Sequence, residues 1–162
     1  MGRTLDPARL GDHIDRLYRA ACGLTGSRAA ADDLVQETYA RVLAKPRLLK
    51  NDDDVGYLVR TMRNVFLDQR RQTVRRATDP VDPEDLERVE RTGDGPAEAV
   101  EHRELLDFIA ALPEDFRDVL VAVDVAGLSY KEASGVLGVP EGTVMSRLYR
   151  ARKRVVAAYE PR

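Results

Sequence analysis

Cations are concentrated near the end of this chain, in a segment whose residue types suit the binding of a polyanion. Residues 143–154 contain four Arg, one Lys and no acid, although the 162-residue chain has a formal net charge of −2. A second cationic segment, residues 60–76, contains six Arg and one Asp. Because Arg and Lys bind phosphate oxygens and Arg also donates paired hydrogen bonds to guanine, both segments are candidates for nucleic-acid recognition.

Helical periodicity divides the terminal cationic segment into an apolar and a polar face. At 100° per residue, a narrow stripe that we expect to pack inward contains Val144, Leu148, Ala151 and Val155. The exposed face combines hydroxyl groups with cations: Thr143, Ser146, Arg147, Arg150 and Arg154. This face suits base edges near the helix start and phosphates along its length. The alternative is a solvated basic face on a surface helix.

A second helix and a tight turn precede this segment. Ser129 and Glu132 have the S-x-x-E spacing of a capping box, so a helix begins there, and Gly138 ends it. Pro140 opens the next helix at a first-turn position, where proline is tolerated. Two short helices joined in this way are typical of a helix-turn-helix, whose second helix enters the major groove of DNA.

The other cationic segment belongs to a long predicted helix that starts near Asp52 and continues through Arg76. One face combines an aromatic ring, an amide and several charges: Tyr57, Arg60, Asn64, Asp68, Arg71 and Arg75. Such side chains can stack on the bases of an opened strand and hydrogen-bond to them. The alternative is a solvated face on which Asp68 pairs with a neighbouring Arg.

An acidic row lies on the preceding predicted helix, which runs from about Arg28 to Lys45 with Ser27 as its N-cap. Its members are spaced i, i+3 and i+4: Asp33, Gln36 and Glu37. A row of this charge should avoid DNA and could contact a basic protein surface. The alternative is a solvent-exposed face.

Composition divides the chain between these segments. Residues 78–103 contain nine acids, three Arg, three Pro and two Gly, and too few large apolar residues to fold alone. We therefore expect two small helical domains, residues 1–77 with three helices and 98–162 with four, joined by an acidic flexible linker, 78–97. The first helix should bury Leu10, Ile14, Leu17, Ala21 and Leu24. No segment shows strand alternation, so the predicted fold class is all-α.

Composition also argues against several other classes of protein. No run of about 18 apolar residues is present, so we expect no membrane insertion. A single cysteine, Cys22, excludes an internal disulfide and fits a reducing cytoplasm. His13 and His102 have no metal-ligand spacing with it, and no phosphate-binding loop or nucleophile elbow appears. We expect neither an enzyme nor a metal or cofactor.

Three segments together resemble a known family. Residues 31–45 resemble region two of a bacterial sigma factor, 57–71 resemble the continuation that meets the upstream edge of the transcription bubble, and 112–154 are similar to region four. With only these two regions and a short linker, the chain resembles the extracytoplasmic-function (ECF) class of the sigma-70 family, over most of residues 10–156. The resemblance implies a transcription initiation factor that binds RNA polymerase core, directs it to promoters and aids DNA opening.

The resemblance also implies a role for each face. Asp33, Gln36 and Glu37 would bind the clamp helices of the polymerase β′ subunit, and the second domain would dock on the β flap. Asn64 would capture a base of the minus-ten element beside a loop at about 48–54, within a set that contains Tyr57, Arg60, Asn64, Asp68 and Arg71. The minus-thirty-five element would be recognised by Thr143, Ser146, Arg147, Arg150 and Arg154. An anti-sigma factor is a further implied partner.

The sequence departs from the family pattern at Tyr57, where many members carry Trp, and at Met145, where many carry a cation. Two other functions stay open. One is an independent DNA-binding regulator, which would usually dimerise on half-sites; the chain shows no coiled-coil heptads, and we expect a monomer when free. The other is a sigma mimic that sequesters an anti-sigma factor, but the chain is too short for the receiver domain that such mimics usually carry.

Overall fold

The computed structural model describes residues 2–49, 53–78 and 97–160. Within these ranges the chain forms seven α-helices: α1 Ile14–Thr25, α2 Arg28–Ala44, α3 Asp54–Thr78, α4 Ala97–Ala111, α5 Glu114–Leu120, α6 Tyr130–Leu137 and α7 Glu141–Tyr159. A 3₁₀ helix, Pro7–His13, precedes α1, and a π-helix, Val121–Val125, continues α5. The predicted all-α class is confirmed, while most of the predicted linker lies outside the described residues.

Local capping signals place the helix ends close to their predicted positions. The Ser27 hydroxyl accepts a hydrogen bond from the Ala30 amide at 3.3 Å, and Ser129 and Glu132 form the predicted capping box. Gly138 ends α6 with a φ of 68°, a left-handed conformation that costs glycine little. Pro140 lies one position earlier than predicted: it is the N-cap of α7, and its extended backbone makes Glu141 the first helical residue.

The N-terminal domain buries a mainly aliphatic core between α1, α2 and α3, with Leu17, Leu34, Leu58, Met62 and Val65 fully buried. The prediction that Ile14 is buried is wrong, because its side chain is 45% exposed. The physical reason is that Leu10 lies in the 3₁₀ helix before Ile14. A 3₁₀ helix has three residues per turn, so a spacing of four residues from Leu10 does not place Ile14 on the same face.

A short strand pair was not predicted. β1, Arg3–Thr4, pairs antiparallel with β2, Leu48–Leu49, with Arg3 opposite Leu49 and Thr4 opposite Leu48. Strands of two residues are too short to show an alternation of apolar and polar side chains, which explains why the sequence did not reveal them.

The two halves of the chain share one continuous buried cluster, an arrangement that the sequence did not predict. Helix α1 packs against α4 and the π-helix, and α3 packs against α6. At Gly23 the helices approach so closely that a Cβ atom would lie 3.0 Å from Val121 Cγ2. The N-terminal domain is therefore in direct contact with the domain that contains α6 and α7.

Candidate nucleic-acid and polymerase interfaces

Helices α6 and α7 form the predicted helix-turn-helix. The Ser134 hydroxyl donates a hydrogen bond of 2.5 Å to the Val139 carbonyl and so holds the turn between the two helices. The predicted inward stripe of α7 is confirmed, since Val144, Leu148 and Ala151 are buried and Val155 is half-buried. This packing fixes which face of α7 remains available to a ligand.

The predicted minus-thirty-five residues lie on the outer side of α7, but their side chains differ in freedom. Ser146 and Arg150 are exposed, and Thr143 is half-buried. Arg147 Nη1 lies 3.4 Å from Asp115 Oδ1 on α5, and the Arg154 guanidinium lies over the Phe116 ring at 4.6 Å. Because a surface ion pair is worth at most about 1 kcal/mol, DNA phosphates can compete with Asp115 for Arg147.

Arg152, another cation of this segment, also has a partner within the domain. Arg152 donates two hydrogen bonds to Asp124 on the π-helix, from Nε at 2.9 Å and from Nη2 at 2.7 Å. Hydrogen bonding to Asp124 raises the pKa of Arg152 above its usual value. Its charge is therefore balanced within the domain, which leaves fewer cations for DNA than the sequence count indicates.

The N-terminal half contributes a cleft that three of the predicted minus-ten residues line. Tyr57, Arg60 and Asn64 of α3 line an open cleft of about 1490 Å³, together with Leu48 and Leu49 from the preceding strand. The cleft therefore brings an aromatic ring, a guanidinium and an amide close to the loop named by the family resemblance. Residues 50–52 of that loop lie outside the described residues.

The structure does not bring the other two predicted minus-ten residues into this cleft. Asp68 pairs with Arg41 of α2, Nη1 to Oδ2 at 3.2 Å, and with Arg71 at 3.6 Å. The alternative of an Asp68–Arg pair thus describes the geometry observed on this part of α3. A role of Asp68 and Arg71 in DNA binding stays a prediction.

Several cations of the cleft were not singled out from the sequence. They come from four elements (the 3₁₀ helix, α1, α2 and α6) and from the loop after α2: Arg9, Arg16, Arg41, Lys45, Arg47 and Lys131. Two of the acids at the cleft have partners, because Asp53 accepts a hydrogen bond from the Gly56 amide and Asp54 pairs with Arg3. The i, i+4 spacing of Arg41 and Lys45, followed by Arg47, was the available signal.

Helix α6 forms the opposite wall of the cleft. Arg60 Nη2 donates a hydrogen bond to the Gly135 backbone carbonyl, across the boundary between the two halves. The predicted minus-ten residue Arg60 is therefore engaged by the first helix of the helix-turn-helix in this arrangement.

A buried charged cluster reinforces the same boundary. Asp118 on α5 is 4% exposed and accepts hydrogen bonds from Arg63 Nε of α3 at 2.8 Å and from Arg117 Nε at 3.0 Å. Arg117 is 1% exposed, and its guanidinium lies 4.9 Å from the centre of the Phe66 ring. A charge-assisted pair and a cation–π contact thus join α3 to α5.

The acidic row of α2 is exposed. Asp33, Gln36 and Glu37 all lie on the solvent side, while Leu34 and Thr38 of the same helix are buried. Glu37 forms an i, i+4 ion pair with Arg41 at 3.4 Å. The row is available to a protein partner, and its role as a polymerase contact stays a prediction.

Other kinds of site find no support in the part of the chain that the structure describes. There, no group of His, Cys, Asp and Glu side chains could hold a metal ion, and no helix is long and apolar enough to cross a membrane. Cys22 is buried, and desolvation raises the pKa of its thiol. A helix-turn-helix beside a cationic cleft instead defines a nucleic-acid-binding protein.

Comparisons with known proteins identify the family. Residues 10–76 match the family described as Sigma-70 region 2, and residues 102–155 match Sigma-70, region 4. Over 148 residues, or 89% of this chain, it is 33% identical to the ECF RNA polymerase sigma factor EcfG of Rhodopseudomonas palustris, 79% of which is covered. The chain belongs to the ECF class of sigma-70 factors, which confirms the expected family and its role in promoter-specific transcription initiation.

Further relatives support the same assignment. The chain is 39% identical to SigE of Mycolicibacterium smegmatis over 88% of its length but spans only 57% of that relative. It is 29% identical to SigM of Bacillus subtilis, covering 91% of this chain and 90% of the other. The sigma factor RpoE of Bartonella quintana, solved in complex with the anti-sigma factor NepR, matches with a TM-score of 0.75 and 26% identity over 93% of both chains.

Proposed function

We propose that this chain binds RNA polymerase core, recognises the minus-ten element with α3 and the minus-thirty-five element with α7, and catalyses no reaction itself. The observation that carries the proposal is the presence in one chain of two recognition surfaces: the outer face of α7 and the cleft lined by Tyr57, Arg60 and Asn64. We place its action in the cytoplasm, where promoter DNA and polymerase meet.

The α7 surface suits duplex DNA. Thr143, Ser146 and Arg147 lie in the first two turns, where a recognition helix contacts base edges, and Arg150 lies a turn further on, where it can contact a phosphate. With Arg152 held by Asp124, about three phosphate contacts remain. The logarithm of the binding constant should then fall with the logarithm of the salt concentration with a slope near about −3. Binding of this strength does not hold a promoter tightly without a second surface.

The cleft suits an unstacked base of an opened strand. The Tyr57 ring offers a stacking surface, and the exposed Asn64 amide can donate to and accept from a base edge. The surrounding cations attract the phosphates on either side of that base. The cleft therefore supplies base recognition and backbone binding together.

Contacts between the two halves of the chain indicate that a scaffold is needed to separate them on promoter DNA. The minus-ten and minus-thirty-five elements lie about 25 base pairs apart, or roughly 85 Å along B-DNA. In this structure α3 packs against α6, and Arg60 donates to Gly135. A chain in this arrangement cannot place α3 and α7 on both elements, so we propose that polymerase core separates the two halves.

Two docking surfaces would achieve this separation. We assign the row of Asp33, Gln36 and Glu37 to the clamp helices of β′, because it is exposed and opposite in sign to the DNA-binding faces. We assign the second domain to the β flap. An anti-sigma factor is a further proposed partner, since the Bartonella quintana relative was solved with one.

Run-off transcription with core polymerase on genomic promoter fragments tests this function. We expect specific transcripts only when the protein is added, and a large loss for Asp33→Arg but not for Asp15→Arg, an exposed acid on α1. Absence of specific initiation with the unaltered chain would refute the proposal. Tight, sequence-specific DNA binding without polymerase would favour an independent regulator.

A further inference from the structure

We infer that the N-terminal segment, residues 2–13, positions the wall of the minus-ten cleft, and that Arg3 is the positioning residue through its ion pair with Asp54. Base selectivity at the minus-ten element then depends on a side chain outside both recognition helices. This inference rests on the proposed function, because it concerns how that function's cleft is held in shape.

Backbone pairing is the first contact between the segment and the cleft. β1 pairs with β2 so that Arg3 lies opposite Leu49, and Leu48 and Leu49 are themselves part of the cleft wall. The approach at Gly2 is close, since a Cβ atom there would lie 3.1 Å from Leu48 Cβ. A pair of two-residue strands is marginal alone and needs tertiary anchors to persist.

The Arg3–Asp54 ion pair supplies one such anchor. Arg3 Nη2 lies 2.5 Å from Asp54 Oδ1, and the Asp54 side chain is 5% exposed at the first residue of α3. His13 Nε2, at the other end of the segment, lies 3.9 Å from Asp54 Oδ2. One carboxylate therefore faces both ends of the N-terminal segment, and its burial reduces the solvent screening that weakens surface pairs.

A second anchor ties the middle of the segment to α2. The Tyr39 hydroxyl donates a hydrogen bond of 2.9 Å to the Leu10 carbonyl, and the Leu10 side chain is buried. Arg9 and His13 also line the cleft, so the segment is itself part of its surface. With its middle fixed to α2, the segment can transmit that fixed position to β2 through Arg3.

The anchored carboxylate lies at the start of α3, the same helix that contains the proposed base-binding side chains. Asn64 follows Asp54 by ten residues, which is about 15 Å along the helix, and Tyr57 lies between them. Asp53, the residue immediately before Asp54, accepts a hydrogen bond of 2.8 Å from the Gly56 amide. Loss of the Arg3 contact would let β2 shift relative to Tyr57 and Asn64, and the cleft would distinguish bases less well.

Transcription by reconstituted holoenzyme tests the inference. A promoter fragment active with the unaltered chain is compared with versions that carry single base-pair changes in the minus-ten element. For Arg3→Ala we expect base selectivity, which is the activity on the unaltered fragment divided by the activity on a changed fragment, to fall about tenfold or more, as for loss of a hydrogen bond to a charged group. Arg3→Lys, which keeps the charge, and Arg19→Ala, an exposed control on α1, should stay within about twofold.

Amide hydrogen exchange provides a measurement without polymerase. We expect Leu48 and Leu49 to exchange faster by about tenfold or more in Arg3→Ala, with no change in Arg19→Ala. An equal loss of activity on all promoters, or unchanged exchange at β2, would overturn the inference. If the unaltered chain supports no transcription, the proposed function fails, while the exchange result still decides whether Arg3 holds β2 in place.

Discussion

Replacement of Asp118 by Asn should strongly destabilise this protein, although the change is nearly isosteric. The carboxylate is buried and accepts hydrogen bonds from Arg63 at 2.8 Å and Arg117 at 3.0 Å. The substitution removes its charge and leaves the buried Arg117 guanidinium without a counter-ion. Removal of one partner from a buried ion pair typically costs about 3–5 kcal/mol, a large share of the roughly 5–15 kcal/mol by which domains are stable.

Thermal and urea unfolding, followed by circular dichroism, measures this cost. For a chain of this size, 1 kcal/mol corresponds to about 2–4 °C in Tm, so Asp118→Asn should lower Tm by roughly 6–20 °C. Asp115→Asn is the matched control: the residue lies on the same helix and also pairs with an arginine, but its side chain is 67% exposed. The control should change stability by at most about 1 kcal/mol.

The comparison of the two variants decides whether the buried cluster holds the halves together. Because Arg63 lies on α3 and Asp118 on α5, we also expect Asp118→Asn to broaden unfolding or divide it into two steps, one for each half. Equal and small effects of Asp118→Asn and Asp115→Asn would refute the reasoning. It would show that the contact between α3 and α5 contributes little to the association of the two halves.

Three further predictions concern packing and recognition. Gly23→Ala should lower the free energy of unfolding by about 1–3 kcal/mol, because the added methyl lies 3.0 Å from Val121 Cγ2. The control Gly142→Ala, in open space on α7, should leave stability unchanged or raise it. Equal unfolding curves for the two variants would contradict this prediction. Arg147→Ala should cost about 1–3 kcal/mol in promoter binding by holoenzyme and relax upstream sequence preference; unchanged selectivity would reject its assigned role. Asn64→Ala should preserve core binding but impair strand opening, measured by permanganate reactivity, and an equal loss of both would indicate a folding defect instead.

Much of the fold could be predicted because its signals are local. Helix periodicity and capping depend on residues within a few positions, as at Ser27, Ser129 and Gly138, and those predictions are confirmed. The prediction for Ile14 was wrong because it extended one helical period through a 3₁₀ segment. Strands β1 and β2 were not predicted because each becomes a strand only when a segment more than 40 residues away lies beside it.

For the candidate site, as for the fold, the sequence predicted features within one helix but not contacts between helices. The sequence identified which side chains share a helix face, and the described part of α7 has the stripe that this requires. It could not show that Arg152 is paired with Asp124, that Arg147 lies beside Asp115, or that Arg60 contacts Gly135. Those partners lie on other helices, and helical spacing contains no information about them.

By itself, the sequence determined the all-α class and which side chains share a face of α3 and of α7, because both depend on residue type and short-range spacing. Its resemblance to the ECF sigma family indicated the family that the comparisons show. Only the tertiary structure decided that the two halves share a buried cluster and that α6 closes one side of the cleft lined by Tyr57, Arg60 and Asn64. The reason is that Arg63 and Asp118, 55 residues apart, gain their interaction only when packing excludes water around both. That exclusion is a property of the assembled helices and has no counterpart in any single segment.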